Sequence, residues 1–302
     1  MKSFARIVIA LALATLVIAC AAPLSAQPSA PIVDAAGRSV SLKGTPKRIV
    51  SLSPSNTEIL YALGLGDQVV GVTEYCDYPA EAKAKPKVGG FSNIDVERVV
   101  SLNPDLVLAS NVHVAKTVPA LEAVGMTVFV VDPQSVDDIA ASLVTLGQLT
   151  GHQKEAEAVR ASMASGLKSI SDKVKDASPK PRVFWLIGPG HEMYTAGPGS
   201  YANDLIEKAG GVNIAASAKT KWPQMSVEAV VQADPEAIIL PGKDGDATAA
   251  ALRADPAWAG VSAVKQNRFV FVADENLVNR PVPRVVDGVA IIARGLHPDR
   301  FK

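Results

Sequence analysis

The chain has few cysteines, few aromatic residues and no excess of either charge. Its two cysteines are Cys20 and Cys76, and because Cys20 ends an amino-terminal apolar run, we expect no disulfide to hold the fold together. Cys76 is expected to be a small buried hydrophobe rather than a metal ligand or a nucleophile. Lys and Arg total 30, as do Asp and Glu, so no overall field attracts nucleic acid or an anionic membrane. Any partner must therefore be recognised by a local site.

Motifs for common catalytic chemistry are missing as well. The sequence has no GxxxxGK[ST] phosphate loop and no GxSxG nucleophile elbow. HEMYT is not a HExxH zinc motif because Thr195 stands fifth, and His113, His152, His191 and His297 are far apart, so no metal site is expected. An exported enzyme, for example one for glycosyl transfer or dehydrogenation, stays open as an alternative.

The first thirty residues are typical of an export signal followed by a tether. Lys2 and Arg6 precede an uncharged run over residues 7–18 that is apolar except for Thr15, and this run is shorter than the ~20 residues that a membrane-spanning helix needs. Cys20 in VIAC resembles a lipobox cysteine, which would become the lipidated first residue. Cleavage between Ala26 and Gln27 is the alternative. The mature protein is expected to be periplasmic, or lipid-anchored to the outer face of the cytoplasmic membrane.

From residue 47 onward, short β-branched runs alternate with helical patterns, which predicts an α/β fold with buried parallel sheets. The alternation is interrupted once, by a helical pattern over residues 152–174 with apolar positions three and four apart. At 1.5 Å per residue this helix would be about 35 Å long. The predicted organisation is a signal and tether (1–30), an amino-terminal lobe (31–150), a connecting helix (151–178) and a carboxy-terminal lobe (179–302).

One stretch of the amino-terminal lobe returns in the other. VERVVSLNPDLVLAS (96–110) matches VEAVVQADPEAIILP (227–241), and each reads as a short helix, a turn with proline and a buried strand. The two lobes are therefore expected to share one plan and to face each other across a cleft. Glu97 and Glu228 occupy the same place in the repeat, two positions after the helix caps Asp95 and Ser226. Each glutamate either stabilises a helix start or presents a carboxylate to a basic partner.

Several motifs together resemble a known family. SLSPSNTEILYALG, VTEYCDYPAEAKAKPKVGGFSNIDVERVVSLNPDLVLA, the long helix and KWPQMSVEAVVQADPEAII are similar to the substrate-binding proteins of ABC importers for cobalamin, haem and ferric siderophores. The resemblance covers residues 48–296 and is strongest to the cobalamin binders. It implies two Rossmann-like lobes joined by a single long α-helix, and a ligand held between them with little closure. It also implies a monomer that delivers its ligand to a permease with its ATPase, without a catalytic cofactor.

The resemblance also implies roles for single residues. Glu97 and Glu228 match the glutamates with which the family docks onto permease arginines. Tyr75, Phe91 and Trp222 match aromatic positions facing the corrin, and Asn276 matches a polar contact to the ligand's amides. A loop histidine, His191, and Tyr194 follow a strand of the second lobe, where either could ligate the metal of haem or a corrinoid. The expected ligand is a corrinoid such as cobalamin, with haem or a ferric siderophore as the alternative.

Overall fold

The computed structural model describes residues 31–188 and 193–302. The export signal and Cys20 lie outside this range, so the lipobox and its rival cleavage site stay predictions. Lobe one, as we use the term, holds β1 (Ile32–Val33), β2 (Ser39–Val40), β3 (Ile49–Ser51), α1 (Pro54–Ala62), β4 (Val69–Val72), α2 (Val96–Ser101), β5 (Leu106–Ala109), α3 (Thr117–Ala123), β6 (Val128–Val130) and α4 (Val136–Thr150).

The long helix α5 (Gln153–Val174) follows, and lobe two completes the chain. Lobe two holds β7 (Arg182–Trp185), β8 (Met193–Tyr194), α6 (Tyr201–Lys208), β9 (Val212–Asn213), β10 (Gln224–Met225), α7 (Val227–Ala233), β11 (Ala237–Pro241), α8 (Gly245–Ala254), α9 (Ser262–Lys265), β12 (Phe269–Val272), α10 (Asn276–Asn279) and α11 (Val285–Leu296). The alternation predicted from the sequence is thus present, although the exact limits of the two lobes stay a prediction.

Both lobes contain a four-stranded parallel sheet with the same topology. The strand orders are β4-β3-β5-β6 and β12-β11-β7-β9. If the strands of each sheet are numbered in chain order, and the sheets are read from β4 in lobe one and from β9 in lobe two, both orders are second, first, third, fourth. Successive strands are therefore added toward opposite edges of the sheet on either side of the boundary between the first and third strands. In open α/β sheets, ligands bind at the carboxyl ends of the strands beside such a switch point.

The internal repeat extends to individual hydrogen bonds. Asp95 and Ser226 cap their helices by accepting a bond from the backbone N–H three residues on. Asp105 and Glu236, at matching positions, each accept a backbone N–H from an arginine at the beginning of the neighbouring strand: Arg48, just before β3, and Arg182, the first residue of β7. The same local sequence thus produces the same helix–turn–strand joint in both lobes, which is the duplication that the sequence predicts.

Helix α5 links the cores of the two lobes. Its buried face carries Ala156, Met163, Ile170 and Val174, which belong to one apolar cluster containing residues of both sheets. At Gly166 the helix lies so close to α11 that an added Cβ would be 2.6 Å from Cγ1 of Val286. This continuous packing makes α5 a stiff connection. Within the described residues, no helix is long and apolar enough to cross a membrane.

Candidate functional site

The carboxyl edges of the two sheets face each other. A cavity of about 380 Å³ is lined from lobe one by residues that follow β6, and from lobe two by residues around β7, α6 and α10. Its lining is Asp132, Pro133, Gln134, Trp185, Ile187, Ser200, Tyr201, Ala202, Lys221, Trp222, Val278, Asn279 and Pro281. Lys221 spans the lobes by donating a hydrogen bond to Oε1 of Gln134 at 3.2 Å. The predicted cleft is therefore open enough to hold part of a ligand.

Trp222 is the predicted wall residue that lines this cavity. It lies just before β10, and 47% of its surface is exposed. A second tryptophan, Trp185, is almost completely buried and also lines the cavity. A half-exposed indole beside buried aromatic surface offers a flat apolar face to an incoming ligand.

Tyr75 and Phe91 lie on loops at the same edge of lobe one and are exposed, Tyr75 by 59%. Neither lines the 380 Å³ cavity among the described residues. Phe91 is held by His113, a buried residue that the sequence analysis did not place in the site. The backbone N–H of Ser110 donates to Nδ1 of His113, so the ring proton sits on Nε2 and is donated to the Phe91 carbonyl at 2.8 Å.

The two rings also meet edge to face, with centroids 5.6 Å apart. Burial lowers the pKa of His113, although its hydrogen bonds to Phe91 and Ser110 oppose that effect. This histidine is therefore neutral near pH 7, and both of its nitrogens are occupied.

The remaining predicted ligand residues fall in different places. Asn276 lines a neighbouring cavity of about 430 Å³, at the carboxyl ends of β7, β11 and β12. Tyr194 is exposed on β8 and pairs with Gln224, two residues after Trp222. His191 lies outside the described residues. Among the described residues no group of three or more His, Cys, Asp or Glu side chains is arranged to hold a metal ion.

The two predicted docking glutamates are exposed in the first turns of α2 and α7. Each helix precedes a strand of its parallel sheet and runs antiparallel to that strand, so each helix begins at the carboxyl edge of its sheet. Glu97 and Glu228 therefore lie at equivalent rim positions of the two lobes. Such a placement fits a partner that contacts both lobes at once.

An ionic cluster at the lobe boundary was missed by sequence reasoning. Glu58 on α1 has a side chain only 2% exposed and is bound by two arginines of lobe two, Arg280 and Arg284. Asp77 and Asp274 bind the outer sides of these arginines. Burial alone would lower the pKa of Arg284. Its hydrogen bonds to Glu58 outweigh this effect and hold the pKa above its ordinary value, so the guanidinium stays charged.

Burial likewise would raise the pKa of Asp77, but the hydrogen bond and charge of Arg280 hold it below its ordinary value. The RPVPR motif next to the predicted contact Asn276 is the sequence signal that could have drawn attention to this cluster. Its partner Glu58, however, is more than 200 residues away in the chain.

The chain is similar in sequence and in structure to known proteins. A family model described as periplasmic binding protein matches residues 49–276. An uncharacterized ABC transporter substrate-binding lipoprotein of Bacillus subtilis is 41% identical, over 90% of this chain and 86% of its own length. A cobalamin-binding protein of Halobacterium salinarum is 36% identical, over 97% of this chain and 84% of its own.

Among solved structures, a periplasmic haem-binding protein of Roseiflexus has a TM-score of 0.74 and 26% identity, over 85% of this chain and 100% of the other. These similarities extend across both lobes, so they agree with the resemblance read from the sequence motifs. Since the family model covers most of the chain, the protein belongs to the periplasmic binding protein family.

Proposed function

We propose that the protein captures a corrinoid of the cobalamin type between its lobes and delivers it to the permease of an ABC importer, without catalysing a reaction. The amino-terminal pattern and the family description agree that it acts outside the cytoplasmic membrane. The main support for this function is the cleft itself, where the half-exposed ring of Trp222 and the amide side chains of Gln134 and Asn279 line the same cavity.

These groups suit a corrinoid for two reasons. A corrin ring is flat and largely apolar, so it gains most from aromatic faces. Its rim carries neutral amides, which pair with side-chain amides rather than with charges. Because the whole ligand is larger than the 380 Å³ cavity, we propose that the rest of it extends over Tyr75 and Phe91. The similarity to a cobalamin-binding relative supports this choice.

Haem is the second candidate, and one observation favours it. The exposed hydroxyl-bearing ring of Tyr194 lies on a strand that borders the cleft, and tyrosine is one of the residues that ligate haem iron. The structural similarity to a haem-binding protein of Roseiflexus also supports haem as a candidate. Undescribed His191 is the other candidate axial ligand.

Calorimetric titration with cyanocobalamin, haemin and a ferric hydroxamate separates these ligands. We expect tight binding of cyanocobalamin with a shift in its visible spectrum, and weak or no binding of the other two. Tight binding of haemin, lost in Tyr194→Phe, together with no response to cyanocobalamin would replace the corrinoid by haem.

Docking is tested by reversing both rim carboxylates, in Glu97→Lys with Glu228→Lys. Uptake of the ligand by cells should be lost while affinity for it in solution is unchanged, because the rim lies outside the cavity. The matched control is Glu155→Lys with Asp299→Lys, which reverses two exposed acidic residues that follow the carboxyl ends of α4 and α11, away from the carboxyl edges of the sheets. Normal uptake by the first double variant would refute the docking assignment.

A further inference from the structure

The carboxylate of Glu58 is enclosed by two arginines from the opposite lobe. Oε1 accepts hydrogen bonds from Arg280 Nη1 at 2.8 Å and from Arg284 Nη2 at 3.2 Å. Oε2 accepts one from Arg284 Nε at 2.6 Å. A charge this deeply buried is tolerated because its partners satisfy both oxygens, and separating them would leave an uncompensated charge. The contact therefore resists any motion that moves α1 away from lobe two.

The arginines are themselves held firmly by lobe two. They flank the segment Pro281–Val282–Pro283, in which Val282 is fully buried and the two prolines restrict the backbone. The hydroxyl of Tyr201 on α6 donates a hydrogen bond to the carbonyl of Arg280 at 3.3 Å. The segment is thus anchored in one lobe while its charged side chains reach into the other.

The same segment touches both walls of the cleft. Arg280 Nη2 donates to the carbonyl of Tyr75 at 3.4 Å, and the preceding residue, Asn279, lines the cavity beside Pro281. The guanidinium of Arg284 lies over the ring of Tyr78, 4.0 Å from its centroid. A shift of Glu58 relative to the arginines would change the distance between these walls.

We propose that Glu58, Arg280 and Arg284 form an inter-lobe clamp that fixes the spacing of the cleft walls and so positions them for the ligand. The positioning role rests on the proposed function, whereas the mechanical role does not. The arginines have their donors directed to Glu58, Asp77, Asp274 and Tyr75. They act as positioning residues rather than as an anion-binding site.

The test variant is Glu58→Gln, which keeps the size of the side chain and removes its charge. Its matched control is Asp34→Asn, because Asp34 is also a fully buried carboxylate, bound by Arg38 with its Nε 2.9 Å from Oδ2, but both lie in lobe one. Both substitutions break a buried ion pair, and only the first breaks one between lobes. A general loss of stability would affect both variants.

The first readout needs no ligand. Spin labels on cysteines introduced at exposed Lys116 and Lys243 report the distance between the lobes, and Cys76 stays unlabelled because it is buried. Double electron–electron resonance on the exported protein should give a broader distance distribution in Glu58→Gln and an unchanged one in Asp34→Asn. An unchanged distribution in Glu58→Gln, or equal broadening in both, would overturn the clamp.

The second readout is the dissociation rate of cyanocobalamin, measured by stopped-flow. It should rise at least about fivefold in Glu58→Gln, the lower end of ordinary coupling between sites, and stay unchanged in Asp34→Asn. An unchanged rate would overturn the positioning role. Failure of the unaltered protein to bind any corrinoid would refute the proposed function, and the distance measurement would still decide the clamp.

If Glu58→Gln does not fold, Arg284→Lys replaces it. That substitution keeps the charge but cannot make the paired hydrogen bonds of a guanidinium. It should broaden the distance distribution in the same direction, and a distribution like that of the unaltered protein would again overturn the clamp.

Discussion

Replacing Trp222 by alanine should weaken corrinoid binding by an amount that its exposure sets. A tryptophan side chain presents about 250 Å² of surface, and 47% of Trp222 is exposed, so about 120 Å² can be covered by a ligand. At about 25 cal/mol per Å², covering all of it stabilises the complex by about 3 kcal/mol, and covering half by about 1.5 kcal/mol. The dissociation constant should therefore rise between about tenfold and about 150-fold.

Isothermal titration calorimetry is the suitable assay, because fluorescence would lose its reporter with the substitution. Trp222→Phe should recover part of the affinity, since a smaller aromatic face remains. Phe271→Ala is the matched control, because this aromatic of lobe two is similarly exposed, at 40%, but does not line the cavity. An affinity within twofold of the unaltered protein in Trp222→Ala would refute the stacking role.

Two further predictions concern stability. Burial lowers the pKa of His113, so below about pH 6.5 the unfolded chain binds more protons than the folded one. The free energy of unfolding should therefore fall from about pH 7.5 to about 5.5, and urea titrations should show a weaker pH dependence in His113→Asn. The same pH dependence in the variant and the unaltered protein would contradict this prediction. Gly166→Ala should lower the free energy of unfolding by about 1–3 kcal/mol despite its better helix propensity, because its Cβ would clash with Val286. Adding Val286→Ala should restore it, and a more stable single variant would contradict the close packing.

Much of the fold could be predicted because its signals are local. Serine and aspartate caps precede the helices where the sequence places them, as at Asp95 and Ser226. The repeated segment predicts equivalent joints because both copies carry the same cap, turn and strand pattern. Helix α8 was not predicted, because it begins within the glycine-containing segment PGKDG, which carries no serine or threonine cap.

The candidate site was less accessible to sequence reasoning, because its contacts join distant parts of the chain. Trp222 could be proposed from its loop and its motif, but His113 resembled an ordinary loop histidine until the fold placed it under Phe91. Glu58 lies in a helical pattern in which glutamate is unremarkable. Its burial against Arg280 follows from the meeting of two lobes, and no local pattern contains that information.

The clamp and the long helix constrain the same motion in different ways. Helix α5 packs against both cores and resists bending, but a helix alone leaves the lobes free to twist about its axis. The buried contact at Glu58 removes that freedom at a second point. In the proposed function, Glu97 and Glu228 lie on separate lobes, so two fixed points also hold these carboxylates at one separation. A permease that recognises both carboxylates would then meet the same spacing whether or not the cleft is occupied, and discrimination of the loaded protein would have to come from the ligand or the cleft rim.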